Sequence, residues 1–293
     1  MDKKHDITLK SVFLYSFKVA IRQWRIGSMV YFLQLCLALT VGIQVYDVMQ
    51  ASIGQSLEIN KLLQNYDHTV ITDFLKVHGA SITPLIGQLR WLLLAWLLFS
   101  VFTDGGLLYC VNKPEDASGR AFWQSGATYF FAFLKISLFF WLLALLWTIL
   151  IFLPIALFFQ PSLQFFSSEK YAVWLVLVLL VFWMAGFVEL FIWSVLSRVQ
   201  HLGTSGSVLA SIWAGRRIFR KNKAAFLVIM VGFIGLQLLL LVLYFFAEAL
   251  TGMSSAWLIL LVFVLQQLLV FCRIQIRQMM YAGISRLYVG RKH

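Results

Sequence analysis

Charge is what this chain has least of for its size. Of its 293 residues, 12% are charged and 61% hydrophobic, and the mean hydropathy is +0.85. A soluble domain is about a quarter charged and about half apolar, so this balance excludes an ordinary water-soluble fold and points to a bilayer. Acidic residues are scarcer still, 12 against 24 Lys and Arg, for a net charge of +12. Cysteine is confined to Cys36, Cys110 and Cys272, in or beside apolar runs. They show neither paired extracellular spacing nor a CxxC, so neither a disulfide nor a metal site is expected. The histidines, His5, His68, His78, His201 and His293, form no HExxH or other dense metal spacing. The absence of GxxxxGK[ST] and GxSxG removes the usual P-loop and hydrolase-elbow readings. The expectation is no cofactor, no metal and no catalytic residue. An intramembrane enzyme of lipid metabolism, the third function considered, would have to work with Asp104 and Glu189 alone.

Long apolar runs are what the chain does have. A helix needs about 20 apolar residues to cross the hydrocarbon, and six runs qualify: 27–46, 89–110, 131–159, 171–197, 224–246 and 257–276. The reading is a single all-α integral membrane domain with six transmembrane helices. The first run lacks a small-x-small cleavage site and precedes further spans, as expected of an uncleaved first helix. The third is overlong, which predicts either a tilt or a start ahead of the membrane with a kink at Pro154, where the proline removes a backbone donor.

Lys and Arg alternate between the gaps. The N-terminal segment 1–26 carries Lys3, Lys4, Lys10, Lys18, Arg22 and Arg25, and the gap after the second span carries Lys113 and Arg120. Segment 198–223 holds Arg198, Arg216, Arg217, Arg220, Lys221 and Lys223, and the last span closes on Arg273 before a basic tail, 277–293. The other side has Asp47, Glu58, Asp67, Asp73, Glu169 and Glu248 against Lys61, Lys76, Arg90 and Lys170. The positive-inside rule then places both termini in the cytoplasm. The outer segment 48–88 spaces Leu62, Leu63, Tyr66, Val70, Ile71, Phe74 and Leu75 at helical intervals, with Gly79 and Pro84 near its end. It reads as one or two amphipathic helices capping the bundle, or as a cap that binds a ligand or partner.

The basic stretches have a recurring layout. On a helical wheel of "SVFLYSFKVAIRQWRIGS", Ser11, Lys18, Arg22 and Arg25 share a narrow arc, while Val12, Phe13, Phe17, Val19, Ala20 and Trp24 occupy much of the rest. This is the character of an interfacial helix. "SFKVAIRQWRIGSMVYF" can be laid on "SIWAGRRIFRKNKAAFL", matching Ser16 to Ser211, Arg22 to Arg217, Trp24 to Phe219 and Arg25 to Arg220. In the second copy Arg216 and Arg220 lie near Leu209 and Trp213 and would have to snorkel. A weaker third copy is "GRAFWQSGATYFFAFLK". Three pseudo-repeats follow, about 9–110, 118–197 and 206–290, each an inner-surface helix followed by a two-span hairpin. Lys18, Arg22, Arg25, Arg216, Arg217, Arg220 and Lys221 are the candidate contacts to anionic lipid headgroups. Nucleic acid is not an expected partner, because the cluster at 216–223 runs directly into an apolar span.

Three ionisable residues fall within spans: Asp104, Lys135 and Glu189. On the last span Gln266, Arg273 and Arg277 share a face, at steps of roughly whole turns. The six are expected to meet as a polar cluster in the inner half of the bundle. The cluster has two readings, ion pairs that pin helices together or a proton or substrate pathway. "TDGG" at 103–106 reads as a helix end or a close-packing site.

The surface-helix-plus-hairpin pattern, "GRRIFRKNKAAFLVIMVGF" and the polar close "QQLLVFCRIQIRQMMYAGISRLY" together carry a family resemblance. The chain resembles the membrane domain of bacterial glycerophosphodiester phosphodiesterases and related six-helix inner-membrane proteins, over most of its length. No segment supplies the metal-binding carboxylates of the soluble phosphodiesterase barrel. The resemblance therefore implies an accessory or lipid-associated role in a bacterial inner membrane, without the hydrolase activity. The expected function is a non-enzymatic polytopic membrane protein, lipid-associated or the membrane subunit of a larger assembly. A protein partner or a second copy of the chain would then complete it. The alternative is a transporter or channel that uses the intramembrane cluster.

Overall fold

Backbone N–H and C=O groups that meet lipid must be satisfied within their own segment, and for a single apolar run that means a helix. The computed structural model describes residues 8–53, 68–158, 169–204, 206–251 and 255–291, and no strand occurs among them. The helices are α1 (Leu9–Arg22), α2 (Trp24–Ile53), α3 (His68–Asn112), α4 (Gly119–Phe158), α5 (Glu169–Gly203), α6 (Val208–Lys221), α7 (Lys223–Thr251) and α8 (Ala256–Arg291). Six of them, α2, α3, α4, α5, α7 and α8, are long and apolar enough to cross a membrane. The protein is a multi-pass, all-α membrane protein.

Two boundaries differ from the sequence reading. Residues 68–88 are not a separate cap; they are the first turns of α3, which continues through positions 79 and 84. The apolar period of the outer segment simply runs on into the span, and long membrane helices tolerate an internal proline. The remainder of that segment, with Leu62, Leu63 and Tyr66, lies outside the described residues. The overlong third run belongs to α4, which begins ahead of it at Gly119 and, as the run does, passes through Pro154. The expected tail at 277–293 is mostly α8, which ends at Arg291 and buries Tyr281, Ala282, Ile284 and Leu287 completely.

Packing is cyclic over three units, α1–α3, α4–α5 and α6–α8. The last helices of the units, α3, α5 and α8, touch one another at the centre. Each unit's leading helix packs on the last helix of the unit before it: α1 on α8, α4 on α3, and α6 on α5. Small residues make these approaches close. Gly105 of α3 faces Gly126 of α4, where a Cβ would stand 3.3 Å from the neighbouring Cα. A Cβ at Gly215 would meet the Ser197 backbone nitrogen at 2.9 Å, and one at Gly283 would meet the Ser16 hydroxyl at 3.1 Å.

The first and third units share a one-residue break between surface helix and span, at Gln23 and at Asn222. At each, the backbone carbonyl of the break residue accepts from the residues three and four further on. This corrects the repeat register by about one helical turn. Ser16 corresponds to Gly215, not Ser211, and both face the preceding unit. In the second unit Gly126 takes that place. Buried in all three are then Val12, Phe122 and Ser211; Gly27, Ser137 and Phe226; and Val30, Phe140 and Ile229. The second unit has no break. Its counterpart of Gln23 is Phe133, fully buried, with no polar group to redirect, and α4 passes straight through.

The core gathers at one end of the bundle, at the close of α3, α5 and α8 and the start of α2, α4 and α7. Toward the other end the helices expose apolar side chains on several faces: on α5, Val173, Trp174, Val176, Leu177 and Val178 are all exposed. Between α4 and α5 that half is clasped by indoles. Trp147 donates to the Trp183 carbonyl at 3.2 Å, and Trp183 donates to the Thr148 hydroxyl at 3.0 Å.

The close approaches predict selective sensitivity. Gly215→Ala and Gly106→Ala, whose Cβ would stand 2.8 Å from the Phe122 carbonyl oxygen, each force backbone apart. Each should cost about 1–3 kcal/mol, read as a lower thermal midpoint in detergent. Gly87→Ala, which meets nothing within 4 Å, should show no such loss.

Candidate functional site

At the packed end one carboxylate joins three units. Asp104 of α3 is 4% exposed. Its Oδ2 accepts from Arg198 Nη1 of α5 at 2.8 Å. Its Oδ1 accepts from Arg277 Nη2 of α8 and from the Tyr281 hydroxyl, the latter at 2.6 Å. The donors are held in turn. Arg198 Nη2 donates to the Ser137 hydroxyl of α4 at 2.9 Å, and Arg277 Nε donates to the Tyr281 oxygen at 3.0 Å. The Arg198 guanidinium lies 5.9 Å from the Phe133 ring centre, and Tyr281 stacks on Phe191. Buried charges are tolerated when paired and hydrogen-bonded, and both oxygens of Asp104 are taken. Three donors from two other helices converge on this one carboxylate, which ties α3 to α5 and α8.

Of the six residues expected to cluster, the structure brings together Asp104 and Arg277. Lys135 is exposed on α4, two residues from Ser137 and so on another face. Glu189 is nine residues from Arg198, about half a turn out of phase. It pairs with Lys223 of α7 at 2.7 Å, where both side chains are about half exposed. Gln266 shares the face of Arg277 but lies about 16 Å up the axis, exposed, near the Tyr244 hydroxyl. Arg273 is exposed. Sequence reasoning missed Arg198, Tyr281 and Ser137. Arg198 was read as a loop marker, yet Leu196, Val199 and Leu202 flank it at helical spacing, a sign that the helix continues past the charge.

Further polar clasps surround the junction. Gln23, at the α1–α2 break, donates through Nε2 to the Cys110 carbonyl of α3 at 2.8 Å. Tyr31 donates to Gln267 at 2.8 Å, joining α2 to α8, and the Tyr288 hydroxyl donates to Gln200, joining α8 to α5.

The seven candidate headgroup residues lie on α1, α6 and the first turn of α2. α1 buries Val12, Ser16, Val19 and Ala20. Its outer surface carries two adjacent stripes, one of Leu14, Phe17 and Ile21 continued by Trp24, and one of Lys18 and Arg22 continued by Arg25, all exposed. The apolar residues of this helix therefore divide between the bundle and the outside. α6 buries Ser211, Ile212, Gly215 and Phe219 and exposes Leu209 and Trp213 beside Arg217, Arg220 and Lys221. Arg216 is held between two indoles, its guanidinium carbon 5.0 Å from the Trp193 ring centre and 5.5 Å from that of Trp213. Trp193 donates to the Ile212 carbonyl at 2.8 Å, which fixes this part of α6 on α5. No group of three or more potential metal-ligating side chains occurs among the described residues.

No family model, curated protein or solved structure matches the chain.

The junction and the surface pair should respond differently to neutralisation. Asp104→Asn leaves Arg198 and Arg277 facing each other without a counter-charge, which should cost about 3–5 kcal/mol. Glu189→Gln breaks a half-exposed pair and should change stability by less than about 1 kcal/mol. Thermal unfolding in detergent compares the two directly.

Proposed function

We propose that the protein is a non-enzymatic inner-membrane protein of a bacterium, with both termini cytoplasmic, that associates with anionic lipid and gives a larger assembly its membrane anchor. The carrying observation is the double stripe of α1 and α2: Leu14, Phe17, Ile21 and Trp24 exposed beside exposed Lys18, Arg22 and Arg25. An apolar row next to a cationic row suits a helix at the acyl–headgroup boundary. α6 has the same two components and leads into α7 with the same one-residue break. The basic end of the bundle is the cytoplasmic one under the positive-inside rule. The exposed apolar faces of α5, α7 and α8 at the other end suit lipid, a second copy or a partner's spans. The likeness in pattern to the membrane domain of bacterial glycerophosphodiester phosphodiesterases supports the same accessory role. Transport through the Asp104 cluster is the weaker reading, since its carboxylate is buried and paired with two arginines.

The test is the composition of the boundary lipid. Reconstituted in vesicles at low salt, the protein's tryptophan fluorescence should be quenched more by brominated phosphatidylglycerol than by brominated phosphatidylcholine. A Lys18→Ser, Arg22→Ser, Arg25→Ser variant should lose several-fold of that preference, since a cation near the surface contributes about 1 kcal/mol. Salt at 1 M should weaken it as well. Equal quenching of the wild type by both lipids at low salt sinks the proposal.

A further inference from the structure

A groove of about 1020 Å³ runs between α4 and α5 and reaches α6. Its long wall is apolar, formed by Leu143, Leu146, Leu150 and Leu153 of α4, the last three exposed along its open side. From Leu143 to Pro154 the wall extends about 16 Å along the helix, close to half of a hydrocarbon core about 30 Å thick. Trp147, drawn against Gly186, forms part of the floor.

One end of the groove is cationic. Arg216, Arg220 and Lys223 line it, with Glu189 as the single acidic residue. Trp193 of α5 marks this end, with Phe140 of α4 edge-on at 4.9 Å and the Arg216 guanidinium carbon 5.0 Å from its ring centre. Glu189 is paired with Lys223 at 2.7 Å, and neither Arg216 nor Arg220 takes part in an ion pair among the described residues. The mouth thus holds two arginines in excess over its one balanced pair. The Arg216 guanidinium is already oriented by Trp193 and Trp213, so little of its freedom remains to be lost on binding.

An apolar slot one leaflet deep, ending in two unbalanced guanidinium groups, is complementary to a single amphiphile with an anionic head. We propose that this groove seats one anionic phospholipid, an acyl chain along the leucines of α4 and the phosphate between Arg216 and Arg220. This rests on the lipid-associated reading but differs from it: the boundary preference belongs to the exposed stripes, whereas this is one site of defined stoichiometry.

The test is lipid retention by the detergent-purified protein. Protein exchanged into a mixture of phosphatidylglycerol and phosphatidylcholine should keep one phosphatidylglycerol by native mass spectrometry. Arg216→Gln with Arg220→Gln should reduce its occupancy at least tenfold. Leu150→Trp, which fills the slot at a position 67% exposed and outside the packed core, should do the same. Unchanged thermal midpoints show that both variants are folded. Both variants leave Lys18, Arg22, Arg25, Arg217 and Lys221 in place, and Leu150→Trp removes no cation at all, so the boundary preference should persist in full for Leu150→Trp and in large part for the arginine variant. Retention that survives either variant overturns the groove assignment, as does retention of phosphatidylcholine equal to that of phosphatidylglycerol. Loss of the site with the boundary preference intact supports it. Failure of the site in the wild type, with the boundary preference present, overturns this proposal and leaves the broader one standing.

Discussion

A carboxylate inside an apolar bundle costs several kcal/mol to desolvate, and Asp104 is stable there because Arg198 and Arg277 reach it from two other helices. The three charges come from α3, α5 and α8, the last helices of the three units. Those helices are the ones that meet at the centre. Ser137 extends the network to α4, and Tyr281 completes the second oxygen of the carboxylate. The network can form only if each last helix arrives at the correct depth and rotation, so it specifies how the three units are assembled.

The rest of the architecture is arranged around that point. Leading helices wrap the centre by packing on the preceding unit, with Gly126, Gly215 and Ser16 at the close contacts. Lipid tails are as apolar as leucine, so association inside a membrane relies on packing and polar clasps, and the small residues permit both. Away from the packed end the described helices offer apolar surface outward. A laterally open slot remains between α4 and α5, with Trp147 of their indole clasp in its lining. Its cationic mouth belongs to α6 and the first turn of α7, the basic stretch at the packed end of the bundle.

Much of the fold was legible in the chain because hydropathy and helix length are local properties. The six apolar runs became six long helices, and the basic stretches at 9–22 and 208–221 became short helices of their own. The repeat was legible in outline but four residues out of register, because matching like with like paired Ser16 with Ser211. Packing pairs Ser16 with Gly215, two small residues that differ in type and agree in role. The site was half legible. Asp104 and Arg277 stood out as charges in or beside apolar runs, whereas Arg198 looked like the edge of a loop and Tyr281 like part of a tail. Those errors share a cause: a span's apolar length does not mark its helix's end, and α5 and α8 both continue beyond it.

The sequence by itself determined the solvent, the helical class, the number of long apolar helices and the uneven distribution of Lys and Arg. Each depends on residue type summed over a window, and the bilayer enforces it without reference to any other part of the chain. Only the tertiary structure decided which charges meet. Glu189, apparently the equal of Asp104, is turned half a revolution from Arg198 and pairs at the surface with Lys223. Asp104, 94 residues away from Arg198, is brought to 2.8 Å from it. Partner choice depends on helix phase, depth and neighbour, and these are fixed by how small residues let one helix approach another.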